Sequence, residues 1–227
     1  MKKLGLVGGI SWTSTLEYYR LFNEGINKRL GGLEAAECIV YSLNFGDVQR
    51  VGWDNSDGQL LKACTSLKEA GAEALVLCCN TGHLFAEELK QASGLPMIHI
   101  VEETAQVIKA HHLTRVGLMG TIFTMEMSFF REGLTNYGIE CVTPPQQATR
   151  DYIQHTLKNE LAIGIINPET RQNYLTIINE MIAEGVEGII FGCTEIPLLL
   201  NKQDVSIPVF DTMEIHVNAM INYALNQ

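Results

Sequence analysis

Short apolar runs alternate along the chain with amphipathic stretches of about 12 to 18 residues, the order expected of strand and helix units around a parallel sheet. The runs predict strands at Leu4 to Val7, Cys38 to Leu43, Ala74 to Leu77, Met97 to Ile100, Arg115 to Met119, Ile139 to Val142, Gly188 to Phe191 and Val209 to Phe210. Eight strands suggest two sheets in an α/β chain.

The pattern also repeats. Leu4-Gly5-Leu6-Val7-Gly8, followed by a helix with Tyr18 and Tyr19, returns 112 positions later as Val116-Gly117-Leu118-Met119-Gly120, followed by a helix with Phe129 and Phe130. At nearly the same offset Ala74-Leu75-Val76-Leu77-Cys78-Cys79 returns as Gly188-Ile189-Ile190-Phe191-Gly192-Cys193, and Leu95-Pro96 as Ile207-Pro208. The repeat predicts two pseudo-symmetric domains, 1–101 plus 212–227 and 102–211, and makes Cys79 and Cys193 counterparts. Open α/β sheets bind ligands at the C-terminal ends of their strands. A pseudo-twofold between the halves would therefore place an active site in the interdomain cleft, with one cysteine at each side of its mouth.

Composition narrows the chemistry. With 227 residues, 46% hydrophobic and 19% charged, the chain can bury cores without staples. A formal charge of -10, and no basic cluster beyond Lys2-Lys3, argue against nucleic acid and anionic membrane as partners. An anionic substrate would need positive potential supplied locally. The opening apolar run Leu4 to Gly9 is too short for a signal peptide or a bilayer span, so a cytoplasmic protein is expected. The cysteines at 38, 64, 78, 79, 141 and 193 then read as free thiols, and none has zinc-ligand spacing, so no metal is expected. Gly5 to Gly9 reads GLVGG rather than GxGxxG, which argues against a dinucleotide.

Two thiols approaching one carbon from opposite sides suit one reaction in particular. Inverting a stereocentre that bears an acidic C–H removes a proton from one face and delivers another to the opposite face, and a thiolate and a thiol supply the base and the acid. A thiol of ordinary pKa, about 8.5, needs nearby positive potential to ionise at neutral pH, and a helix N-terminus supplies it. Asn80 and Thr81 are expected to start a helix containing His83 to Ala92, and Thr194 one containing Ile196 to Leu200. Their free N–H groups can also take a substrate carboxylate. Blander readings stand beside these: two buried thiols, two plain N-caps. His83, one turn after Cys79, either tunes that thiol or lies on a helix surface, and Glu195 either orients Cys193, meets a substrate ammonium or compensates the helix terminus. His111-His112 reads as a helix end, and Asp211-Thr212 as the N-cap of a last helix, Met213 to Leu225.

Taken together, Gly8-Gly9-Ile10-Ser11-Trp12 with Ser14-Thr15, Cys79-Asn80-Thr81-Gly82-His83, Gly120-Thr121-Ile122-Phe123-Thr124 and Gly192-Cys193-Thr194-Glu195 resemble the aspartate/glutamate racemase family across essentially the whole chain. Met1 to Leu33 and Thr121 to Glu126 most resemble the branch acting on both amino acids. The resemblance implies two Rossmann-like domains, a homodimer, no pyridoxal phosphate and no metal, with Cys79 and Cys193 as acid and base and Cys78 as a bystander. It implies that Asn80, Thr81 and Thr194 hold the α-carboxylate and amino group, that Thr121 and Thr124 line the opposite wall, and that Ile10 packs on the substrate. Gln49 and Arg50 fall in the loop that recognises the side-chain carboxylate in that branch. The lysine that several aspartate racemases carry near Leu161 to Gly164 is missing, Lys158 lying a helical turn too early, which weakens strict aspartate specificity. Other readings to separate are a hydantoin racemase, a malonate decarboxylase, and a non-catalytic amino-acid-binding or thiol-redox protein.

Overall fold

The computed structural model describes residues 1–53 and 57–226; the domain limit expected at residue 227 lies outside them. The chain divides into two compact units, Met1–Ile100 with His216–Gln227, and Val101–Ile215. Among the described residues no helix is long and apolar enough to cross a membrane.

In the first unit β1 (Leu4–Gly8), β2 (Cys38–Ser42), β3 (Ala74–Leu77) and β4 (Met97–Ile98) form an all-parallel sheet in the order β2-β1-β3-β4. Central strands covered on both faces bury every residue, and β1 and β3 do so. The turn leaving β1 admits only glycine at position 9: its φ is +85°, and a Cβ there would lie 2.1 Å from the carbonyl oxygen of Leu43. Ser11 then caps α1 (Trp12–Leu30) by accepting from the Ser14 N–H, and Tyr18, Phe22 and Ile26 run down its buried face at helical spacing. The C-terminal α11 (Thr212–Ala224) lies so close to α1 that a Cβ on Gly25 would sit 2.1 Å from Cδ1 of Ile221.

The second unit repeats the design. β5 (Arg115–Gly120), β6 (Glu140–Val142), β7 (Gly188–Gly192) and β8 (Val209–Asp211) form a parallel sheet in the order β6-β5-β7-β8. Gly120 and Gly192 are register partners where β5 and β7 end, and a Cβ on Gly120 would stand 3.0 Å from the Gly192 carbonyl oxygen. The core here gathers Met119, Ile153, Tyr174, Ile178, Met181 and Phe191.

The two four-stranded parallel sheets thus have the same strand order, as the internal repeat implies. The strand expected over Met97 to Ile100 is the one that stops well short, at Ile98. There the backbone turns, α5 (Ile100–Ala110) begins, and the Ile100 N–H donates to Nε2 of His83 instead of to a neighbouring strand. The N-cap at Asp211 forms as expected, its carboxylate accepting from the N–H groups of Met213 and Glu214.

Candidate active site

A parallel sheet of order 2-1-3-4 has its topological switch point between the two middle strands, where a crevice opens outside their C-terminal ends. In the first unit those are β1 and β3, and Cys79 stands two residues beyond β3, half-buried. Its Sγ accepts a hydrogen bond from the Gly82 N–H at 3.3 Å. The expected helix start differs in detail. Asn80 is itself αR, makes no side-chain cap, and leads into a 3-10 turn, Thr81–Phe85, before α4 (Ala86–Ser93). A carboxamide in helical backbone geometry cannot reach back over N2 or N3 as an N-cap does, so the plain-cap reading of Asn80 fails. Asn80 and Thr81 are both buried, at 7% and 6% exposure.

His83 is not on a helix surface. It is 3% exposed, its Nδ1 lies 3.0 Å from the Cys79 carbonyl oxygen, and its Nε2 accepts from the Ile100 N–H at 3.2 Å. Because Nε2 accepts, Nδ1 carries the proton and donates to the carbonyl. One neutral tautomer therefore ties the cysteine turn to the start of α5. Burial, then the nearby His99 and His216, hold the His83 pKa well below the usual histidine range. His83 thus touches the backbone of Cys79 rather than its sulfur.

Behind it stands a group that the sequence reading missed. His216 on α11 lies with Nε2 2.8 Å from the Ile98 carbonyl oxygen, and its Nδ1 accepts from the Tyr18 hydroxyl at 2.9 Å. The His83 and His216 rings meet edge to face, 5.5 Å between centroids. A signal was present: Met213, Val217, Met220, Ile221 and Ala224 form a buried stripe, and His216 falls on it. A polar residue on an apolar stripe must find partners within the fold.

In the second unit the middle strands are β5 and β7, and Cys193 follows β7 directly, also half-buried. Its thiol donates to Oε2 of Glu195 at 2.8 Å, and the Thr194 hydroxyl donates to the same oxygen at 2.8 Å. The short α10 (Ile196–Leu199) has Glu195, not Thr194, at its N-cap, and Glu195 makes no cap bond because its carboxylate is turned to the cysteine. Beyond β5, Thr121 caps α6 (Ile122–Glu126) by accepting from the Thr124 N–H, and the two hydroxyls lie 3.0 Å apart. Thr124 is 1% exposed. The Ile122 N–H donates to Gln154 of α8 (Gln147–Asn159), which steadies the turn.

The remaining expected residues lie in the first unit. Ile10, after β1, is 8% exposed and packs in a cluster with Val7, Val48 and Trp53. Gln49 and Arg50 are in no loop: both belong to α2 (Phe45–Val51), are exposed, and Arg50 pairs with Asp47 one turn earlier. Asn44 caps that helix and Asp47 occupies its first turn, so the local sequence favours helix there. Of the other thiols, burial raises Cys64 to about 11 and Cys141 to about 12, and lifts Cys78 well above the ordinary range. Cys79 and Cys193 are the two that stand at switch points.

Comparison with known proteins bears on the family and the fold. The profile of the Asp/Glu/hydantoin racemase family matches residues 7–220. The chain is 25% identical over 217 residues, 92% of either chain, to the broad specificity amino-acid racemase RacX of Bacillus subtilis. Its structure is similar to that of a candidate Asp/Glu racemase from Yersinia pestis, with 46% identity, a TM-score of 0.93, and 99% of this chain and 100% of that one covered. It is also similar to an aspartate racemase homologue from Pyrococcus horikoshii, with 33% identity, a TM-score of 0.88, and 99% and 100% covered.

Proposed function

The chain belongs to the Asp/Glu/hydantoin racemase family, and from that premise we propose that it inverts the α-carbon of aspartate, glutamate or both, using Cys79 and Cys193 and no pyridoxal phosphate. One observation carries the reading: two sheets of identical strand order each end a middle strand, at the switch point, on a half-buried cysteine with its own hydrogen-bonded shell.

In the proposed reaction a thiolate takes the α-proton, and the C–H electron pair is left on the α-carbon beside the carboxylate. The other thiol delivers its proton to the opposite face. One S–H forms as one breaks, so the product leaves with the two cysteines exchanged in protonation state, ready for the reverse reaction. The reading requires both sulfurs to reach one α-carbon. Asn80, Thr81 and Thr194 would hold the α-carboxylate and amino group, which costs least where polar groups are already ordered and partly dehydrated. Thr121 would meet the substrate with Thr124 fastening its hydroxyl, and Ile10 would form the apolar floor. Arg50, with Gln49, would take the side-chain carboxylate after leaving Asp47.

A homodimer belongs to the same proposal. Trp12, Leu16 and Tyr19 lie on one face of α1 and are 71%, 59% and 47% exposed, an apolar strip suited to a second copy.

The test is a panel of both enantiomers of aspartate, glutamate and a cyclic ureide, followed by chiral chromatography. Inversion of an acidic amino acid is expected, with kcat lowered by about 10²- to 10⁴-fold in Cys79→Ser and in Cys193→Ser, the usual weight of a positioned acid or base. Inversion of the ureide alone, or full activity in either variant, would overturn the reading.

A further inference from the structure

The two cysteines are counterparts in the fold, yet their surroundings are opposite in chemical sense. The sulfur of Cys79 is a hydrogen-bond acceptor, receiving the Gly82 N–H at 3.3 Å. The sulfur of Cys193 is a donor, directed at a carboxylate oxygen of Glu195 at 2.8 Å. A hydrogen bond given to the charged form of a group favours that form, whereas a nearby like charge disfavours it. The Gly82 N–H therefore favours thiolate at Cys79, and the Glu195 carboxylate favours the protonated thiol at Cys193.

We infer that the resting chain is asymmetric: Cys79 is the thiolate that acts as base, and Cys193 is the thiol that acts as acid, with Glu195 as the positioning residue that keeps its proton in place. The inference rests on the racemase reading for the word base, and on the two hydrogen-bond directions for its content.

Two further features agree with it. Glu195 is also held in place, because the Thr194 hydroxyl donates to the same Oε2 at 2.8 Å and keeps that oxygen facing the turn. On the other side, His83 is neutral at pH 7 with its Nδ1–H on the Cys79 carbonyl, so it orders the turn that presents the Gly82 N–H without itself exchanging a proton with the sulfur. The internal repeat provides no second copy of either device. Position 197, equivalent to His83, is proline, and position 81, equivalent to Glu195, is threonine. The asymmetry is thus written into two residues that the halves do not share.

The experiment is alkylation of the intact protein with iodoacetamide across a pH series, with the modified peptides quantified by mass spectrometry. Peptide mapping is needed because Cys38, Cys64, Cys78 and Cys141 are also free. The midpoint of each pH profile reports the thiol pKa independently of how accessible the sulfur is. The Cys79 midpoint is expected below that of Cys193 by about one unit or more, a tenfold difference in thiolate fraction at pH 7. Glu195→Gln is expected to lower the Cys193 midpoint and leave that of Cys79 unmoved; Glu195→Asp, which restores the charge, is expected to return it toward the wild-type value. A Cys193 midpoint equal to or below that of Cys79 in the wild-type protein would overturn the inference, and needs no variant to fold. Uptake of deuterium at the substrate α-carbon, measured on the same preparation, separates the two readings. Uptake with the midpoints reversed defeats the asymmetry alone, and ordered midpoints without uptake defeat the racemase reading alone.

Discussion

To take a substrate's side-chain carboxylate, as proposed, Arg50 must first leave a partner. Its guanidinium stands 69% exposed beside Asp47, a surface pair of the kind worth at most about 1 kcal/mol. Exchanging that partner for the proposed substrate carboxylate would be favourable, because a charge-assisted contact is worth about 1.5–3 kcal/mol. Arg50→Gln is therefore expected to raise KM for aspartate and glutamate by about 10- to 100-fold, with kcat changed far less, as steady-state kinetics would show. An unchanged KM would place the side-chain carboxylate elsewhere. At this scale the two cysteines were legible from the repeat, and Glu195 was legible as a residue able to orient Cys193. The direction of the Cys193 hydrogen bond was not legible, because it depends on the backbone turn that aims the carboxylate at sulfur instead of at the helix terminus.

Among elements, the histidine-linked framework of the first unit makes the clearest prediction. His216 on α11 joins Tyr18 of α1 to the end of β4, and His83 joins the Cys79 turn to the start of α5. Burial, opposed by the bond to Ile98 and assisted by His99, pushes the pKa of His216 down to about 4. Unfolded, the same side chain titrates near 6.5. The neutral ring thus contributes stability that is fully present above pH 6.5 and is lost as pH falls toward about 4, on the order of 3 kcal/mol for this group. Urea unfolding at pH 7 and pH 4.5 should show a smaller difference in His216→Gln than in the wild-type protein. An equal pH dependence in both would mean that the ring titrates in the folded protein as it does in the unfolded chain. The strands of these elements followed directly from their apolar runs. The 3-10 turn after Cys79 and the short helix at Phe45–Val51 did not, since both are decided by local capping and by distant partners such as Ile100, to which periodicity is blind.

For the whole molecule, the repeat predicts two sheets of like order, and the shared orders β2-β1-β3-β4 and β6-β5-β7-β8 bear this out. What the repeat conceals is the difference between the halves, for a proline and a threonine stand where the other half carries His83 and Glu195. The exposed strip of Trp12, Leu16 and Tyr19 belongs to this scale as well. If the proposed homodimer forms through it, Leu16→Glu, which sets a charge in the middle of that strip, is expected to shift the sedimentation coefficient from that of a dimer to that of a monomer, while a wild-type protein that sediments as a monomer would remove the strip from consideration. The most direct test of the account is racemisation in deuterium oxide, followed by mass and chirality of the product. Inversion by a thiolate and a thiol requires the product enantiomer to carry deuterium at the α-carbon, and requires the rate of inversion to fall by about 10²- to 10⁴-fold in Cys79→Ser and in Cys193→Ser alike. Product that keeps its original hydrogen, or inversion at the full rate after loss of either sulfur, would contradict the account.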